Sequence, residues 1–207
     1  MKRQTGSGPS TGACRLARLR RLAHKRLACY NSVASTPRHV ENETGTPSTT
    51  TAAGPRFYLM VGIPGSGKTT YARRYLGRAL RLSLDDLRLM ITGVAYDPRY
   101  ESIVIGVGHA ALDLMLSRAR VWHHDILLDA TNATVDRRRF YIRMAEQYGL
   151  PTVAVFVDCP LDVALARDRR RPDSVGEDVV RRYHSQLQPP TPEEGFAEVI
   201  HVTDFSF

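Results

Sequence analysis

The densest chemistry in the chain is the run Gly62-Ile-Pro-Gly-Ser-Gly-Lys68-Thr69, which fits G-x-x-x-x-G-K-[ST] at every position. Gly62, Pro64, Gly65, Ser66 and Gly67 form a loop whose backbone N–H groups can wrap a phosphate. The helix that follows adds the positive end of its dipole. Lys68 is placed to reach β- and γ-phosphates, and the Thr69 hydroxyl, with Thr70 behind it, offers a hard oxygen to Mg²⁺. Residue usage gives an independent hint. Only three of the 29 basic residues are lysine, and Lys68 is the sole lysine in residues 56–207. A lysine kept where this chain otherwise uses arginine marks a site that needs a compact ammonium rather than a planar fork. Without a second lysine in that span, an Asn-Lys-x-Asp guanine-reading motif cannot occur there, which favours ATP over GTP.

Carboxylates supply the second layer. In Ser83-Leu84-Asp85-Asp86-Leu87-Arg88, Asp85 falls at the carboxyl end of an expected strand, where open α/β sheets bind ligands. A carboxylate there can take the proton of an attacking hydroxyl; the plainer reading of Asp85 or Asp86 is a helix cap. Asp129, ahead of Ala130-Thr131-Asn132, ends an apolar run and is the favoured holder of Mg²⁺ and its waters. Asp158 ends another such run and remains its rival. Arg167 and Arg171 stand four apart in Arg167-Asp-Arg-Arg-Arg171, on one expected helix face. They read as a lid over the transferred phosphate, or else as a solvated basic helix end. His109 reads as a helix residue, Trp122 as part of an exposed turn, and Cys159 as a small buried hydrophobe.

These residues need elements to hold them. Short apolar runs at Phe57–Val61, Arg81–Leu84, Asp125–Asp129 and Thr152–Asp158 read as strands, with Glu198–Val202 as a candidate last one. Between them, helical patterns cover Thr69–Leu80, Asp85–Ile91, Glu101–Arg120, Asp136–Tyr148, Leu161–Arg171 and Gly176–Leu187. Strands alternating with helices predict an α/β fold with a mostly parallel sheet covered on both faces.

The ends of the chain differ in composition. Residues 1–55 hold nine Lys and Arg against two acids, +7, and residues 56–207 hold the remaining 20 basic and 19 acidic residues, +1. The net charge of +8 therefore belongs to the leading segment and does not argue for a nucleic-acid substrate. Residues 1–41 are expected to form a basic, disordered tail, 42–55 a Thr-, Gly- and Pro-rich linker, and 56–207 the folded domain. Arg15 to Tyr30 has the spacing of a basic amphipathic helix, and the acid-free first 40 residues resemble a transit peptide. A plain basic tail, or a start codon placed too far upstream, explains them as well. Met60 lies inside the first strand and is no alternative start. No run of ~18 consecutive apolar residues occurs, so no membrane insertion is expected. Three widely spaced cysteines suggest neither a disulfide framework nor a zinc site, so the default compartment is the reducing cytoplasm.

Taken together, the motifs resemble the phage-type 5′-hydroxyl polynucleotide kinase domain and the zeta-toxin-like group of small P-loop kinases around it. The resemblance covers about residues 57–190. It rests on Gly62–Thr70, Leu84-Asp85-Asp86-x-Arg88, Asp129-Ala-Thr131-Asn132, Arg137-Arg138, Asp158-x-Pro160 and Arg167-x-x-x-Arg171. It implies a three-layer P-loop kinase fold with an Arg-bearing helical lid, using ATP and Mg²⁺. By matching position it implies Asp85 as general base, Arg88 as the residue orienting the acceptor, and Arg167 and Arg171 as grips on the nucleotide phosphates. Thr131, Asn132 and Arg137 fall on the acceptor side. Two departures stand out. Ala130, not a carboxylate, precedes Thr131-Asn132, and no Asp-x-Asp motif occurs, so no 3′-phosphatase activity is expected. The leading acceptor is a 5′-OH end of RNA or DNA, reached through a basic tunnel lined by Arg88, Arg99, Arg137 and Arg138. A small metabolite in a closed pocket is the rival, and a regulatory ATP-binding protein without acceptor is the third reading.

Overall fold

The five apolar runs line up side by side as β1 (Phe57–Val61), β2 (Leu80–Ser83), β3 (Ile126–Asp129), β4 (Thr152–Val157) and β5 (Glu198–Val202). In this computed structural model, which describes residues 54–203, they form one sheet in the order β2-β3-β1-β4-β5 with every neighbouring pair parallel. The expected basic tail, its Arg15–Tyr30 helix and nearly all of the linker lie outside the described residues. Helices occupy Lys68–Tyr75 (α1), Leu84–Thr92 (α2), Glu101–Trp122 (α3), Val135–Glu146 (α4), Leu161–Arg169 (α5) and Glu177–Gln186 (α6).

Strand alternation sends side chains to both faces. Phe57, Leu59 and Val61 of β1 join Ile126, Leu128, Ala154 and Phe156 in a core under α2, α3 and α4. Met60 of β1 joins Leu127, Val155 and Val157 in a second core that includes Ala72 of α1. With both faces covered, the inner strands are apolar at nearly every position, which is why they read as continuous runs. After β1 the chain builds β2 and β3 on one side and β4 and β5 on the other. That reversal opens a crevice at the carboxyl ends of β1 and β3, where the glycine loop and Asp129 meet.

Several boundaries differ from expectation. The first helix stops at Tyr75 rather than Leu80, because Gly77 follows its C-cap Leu76 and glycine is a poor helix residue. The second strand ends at Ser83, whose hydroxyl caps α2 by accepting from the Asp86 N–H at 3.2 Å. Ser83 therefore holds the cap that the plainer reading of Asp85 or Asp86 gave to those residues. Helix α4 ends at Glu146, two residues early, and Gly149 turns with φ +65°. Helix α5 ends at Arg169, so Arg171 lies in the following turn and not on the helix face it was expected to share with Arg167. With 22 residues and a mean hydropathy of 1.2, α3 is long and apolar enough to cross a membrane by length and composition. Its buried side, Val104, Gly108, Leu112, Leu116 and Ala119, packs as a core-covering helix does.

Candidate active site

The glycine loop is shaped by close approaches that only glycine permits. Gly62 has φ +149°, and a Cβ there would lie 2.7 Å from the Val157 carbonyl oxygen. Gly65, at φ +79°, abuts the Ala164 carbonyl of α5. The loop is tied to the end of β3 by the Gly62 N–H, which donates to the Thr131 carbonyl at 3.1 Å. Within it, Ser66 is fully buried and its hydroxyl oxygen has no hydrogen-bond partner. An orphaned buried hydroxyl inside a glycine cradle fits a loop built to receive an anion.

Lys68 begins α1 and is buried, its ammonium donating to the Ile63 carbonyl at 2.7 Å. Burial pulls its pKa down to about 8, against the pull of the Asp129 and Asp85 carboxylates upward. The Arg171 charge is part of that lowering. Lys68, Asp129, Asp85 and Arg171 thus share one electrostatic neighbourhood, although they come from α1, β3, α2 and the turn after α5.

Asp129 is 4% exposed and accepts the Thr69 hydroxyl on Oδ2 at 2.9 Å. A hydroxyl and a carboxylate oxygen side by side are the hard donors that suit Mg²⁺, so these residues fit that ion. Asp158, the rival, is half-exposed and turned away toward β5, where it pairs with His201 Nε2 at 2.9 Å. On the other side of the crevice Asp85 is 79% exposed and accepts from Arg88 Nη1 at 2.5 Å. Arg88 is held in turn by Glu101 of α3, through Nε at 3.0 Å and Nη2 at 2.7 Å. Its two carboxylate partners raise the Arg88 pKa, and Arg88 lowers that of Glu101.

Of the expected lid pair, Arg167 reaches the loop, donating from Nη1 to the Ser66 carbonyl at 3.1 Å. Arg171 pairs with Asp173 at 2.6 Å. Among the remaining expected residues, Pro64 and Gly67 belong to the loop wall and Thr70 is exposed on α1. Thr131 is half-buried and serves the loop through its carbonyl. Arg137 is exposed, and its charge is felt by Glu101 and His109. Two expectations are corrected. Asn132 is 1% exposed and donates its amide to the Met60 carbonyl at 2.7 Å, so it braces β1 and does not face an acceptor. Arg138 cannot line a tunnel. It is fully buried, bonded to Glu194 at 2.8 and 2.6 Å and to the carbonyls of Asn132, Ala133 and Gln188.

Three participants escaped the sequence reading. Arg81 of β2 bridges Asp129 and Asp86. Glu101 holds Arg88. Asp168, 2% exposed, fixes the turn after α5 by accepting from Ser174 Oγ at 2.6 Å and from the Val175 and Gly176 N–H groups. A charged residue inside a four-residue strand was a visible signal for Arg81. The lone acid within an arginine run was one for Asp168.

Fold and site together define a P-loop protein of kinase-like architecture. The chain belongs to the AAA domain family AAA_33, whose model matches residues 57–190. It is 31% identical over 123 residues to an adenylyl-sulfate kinase of Myxococcus xanthus (strain DK1622), an alignment covering 53% of this chain. The match spans 60% of the length of that relative. Among solved structures, a protein of Chloroflexus aurantiacus with a provisional kinase assignment superposes with a TM-score of 0.54 and 17% identity over 74% of this chain and 90% of that one. Kti12 of Chaetomium thermophilum, solved with ADP-AlF3, gives 0.51 and 16% over 73% and 91%. These two likenesses are likenesses of fold.

Proposed function

We propose that the protein is a kinase that uses ATP and Mg²⁺ to phosphorylate a hydroxyl, with the 5′-OH end of RNA or DNA as acceptor. The observation that carries the reading is the glycine cradle itself, with buried Lys68 and the unpartnered Ser66 hydroxyl inside it and the Thr69–Asp129 pair at its edge. In this reading the loop N–H groups and Lys68 hold the β- and γ-phosphates, and Thr69 and Asp129 hold the metal. A bound Mg²⁺ would supply positive charge to the phosphates there. Asp85 accepts the proton of the attacking hydroxyl as its oxygen bonds to phosphorus and the bond to ADP breaks. Arg88, bonded to Asp85, orients that carboxylate and the acceptor. Arg167 and Arg171 offset the negative charge of the transferred group.

The openness of the acceptor side supports a polymer end. Asp85 stands exposed, and the connector leading into Glu101 carries the exposed rings of Tyr96 and Tyr100. The Arg99 guanidinium lies 5.4 Å from the Tyr100 ring centre. Exposed aromatics with arginine are a stacking surface for unpaired bases. The identity to adenylyl-sulfate kinase favours a second reading, a small-molecule acceptor on the same machinery. Incubation with γ-labelled ATP and a panel of 5′-OH oligonucleotides, nucleosides and small hydroxyl metabolites separates them. Label on oligonucleotide 5′ ends is the expected result. Label only on a small acceptor selects the second reading, and bound ATP with no transfer to any acceptor contradicts both.

A further inference from the structure

Asp129 presents an unusual arrangement for a carboxylate proposed to serve a metal. All three donors that reach it land on one oxygen, Oδ2: Thr69 Oγ1 at 2.9 Å, Arg81 Nε at 2.9 Å and Arg81 Nη2 at 2.7 Å. The same guanidinium extends its other nitrogen, Nη1, to Asp86 Oδ2 at 2.6 Å. Asp129 is 4% exposed, and a carboxylate so buried needs a compensating cation close by. The Lys68 ammonium donates to the Ile63 carbonyl and forms no ion pair with Asp129. Arg81 is therefore the cation in contact with Asp129 when no metal is bound.

We infer that Arg81 is the resident counter-cation of Asp129, neutralising it while the metal position is empty and passing to Asp86 when a divalent ion arrives. The inference rests on the metal-holding role proposed for Thr69 and Asp129. A divalent ion and a guanidinium repel each other if both stand against one carboxylate oxygen. The Arg81 backbone is fixed in the sheet opposite Leu127, so only its side chain can yield. Asp86 is 60% exposed and already bonded, so the charge of Arg81 has a partner throughout the exchange. Arg81 is thus a positioning residue that ties the first turn of α2, next to Asp85, to the metal side of the crevice.

Two variants move the metal requirement in opposite directions, which a purely structural role would not do. Arg81→Gln removes the resident cation. Asp86→Asn removes the residue that receives it, leaving Arg81 more firmly on Asp129. The readouts are thermal unfolding without nucleotide, in EDTA and in millimolar Mg²⁺, and the Mg²⁺ concentration that half-saturates ADP binding by calorimetry. Arg81→Gln is expected to lower Tm by roughly 5–10 °C in EDTA. Mg²⁺ alone should recover most of that loss, while wild-type Tm stays nearly indifferent to the ion. The half-saturating Mg²⁺ should fall several-fold in Arg81→Gln and rise several-fold in Asp86→Asn. A Tm of Arg81→Gln that ignores Mg²⁺, or a shift of both variants in the same direction, overturns the inference. Should Arg81→Gln fail to fold, Arg81→Lys, whose single ammonium cannot span both carboxylates, must show the same signs at smaller size; unchanged behaviour there overturns it as well. Failure of the wild type to bind ADP with Mg²⁺ would count against the kinase reading, whereas the melting arm without nucleotide still reads the Arg81–Asp129 exchange.

Discussion

Lys68 shows what a phosphate site costs a fold. Its pKa falls from 10.5 to about 8 because burial disfavours the ammonium more than the neighbouring carboxylates favour it. The folded value lies below the unfolded one, so between the two the unfolded chain binds more protons and stability rises with pH. The burden is therefore fully present below pH ~8 and is relieved as pH rises toward 10.5, at about 3 kcal/mol. Lys68→Met should raise stability at pH 7 by about 1–3 kcal/mol in denaturant melts, with the gain vanishing near pH ~10.5. A bound polyphosphate should restore the proton. At pH ~8.5, calorimetry in buffers of different ionisation enthalpy should show uptake of a large part of one proton on ATP binding, and almost none at pH ~7. Lys68→Arg should abolish transfer, because the position is enclosed and its ammonium already sits 2.7 Å from the Ile63 carbonyl. At this scale the loop was legible, since its glycines and lysine are demanded by local geometry. The pairings of Arg81 with Asp129 and of Glu101 with Arg88 were not, because the partners lie 48 and 13 residues apart and no local pattern encodes a long-range ion pair.

Among the elements, the turn after α5 decides what the arginines can do. Asp168 accepts three hydrogen bonds that close this turn, and Arg171 rides on it. Asp168→Ala should cost about 2–3 kcal/mol in a denaturant melt and unsettle Arg171. Arg167→Ala and Arg171→Ala should each lower kcat more than they raise KM for ATP, the signature of contacts made in the transition state. Lysine should rescue Arg171 poorly, since a point charge cannot make a bidentate contact. Wild-type kinetics in both alanine variants would mark them as a solvated basic segment. The strand–helix alternation and the last strand were legible from apolar periodicity. The helix ends were not: whether α5 runs to Arg169 or Arg171 depends on Asp168 capturing the turn, a tertiary event invisible to spacing.

At the scale of the whole molecule, a buried ion pair ties the segment before β5 to α4. Arg138 and Glu194 are 0% and 3% exposed, and Arg138 also binds the carbonyls of Asn132, Ala133 and Gln188. Arg138→Leu should cost about 3–5 kcal/mol because it strands the Glu194 carboxylate. Joint replacement with Glu194→Leu should recover much of that in the same melt. Arg138 holds the loop after β3 through the Asn132 and Ala133 carbonyls, and the Asn132 amide ties the same loop to β1. Sequence order alone placed Asp85 and Asp129 at strand tips, but could not tell that Asp85 faces solvent while Arg138 turns inward. That difference bears on the central claim, that Asp85 takes the acceptor proton across the crevice from a nucleotide held by Lys68. The most direct test is Asp85→Asn, assayed for transfer of label from ATP to a 5′-OH oligonucleotide and, separately, for ATP binding. The account predicts a fall in kcat of ~10²–10⁴ with ATP affinity retained. Undiminished transfer, or an equal loss of ATP affinity, would contradict it.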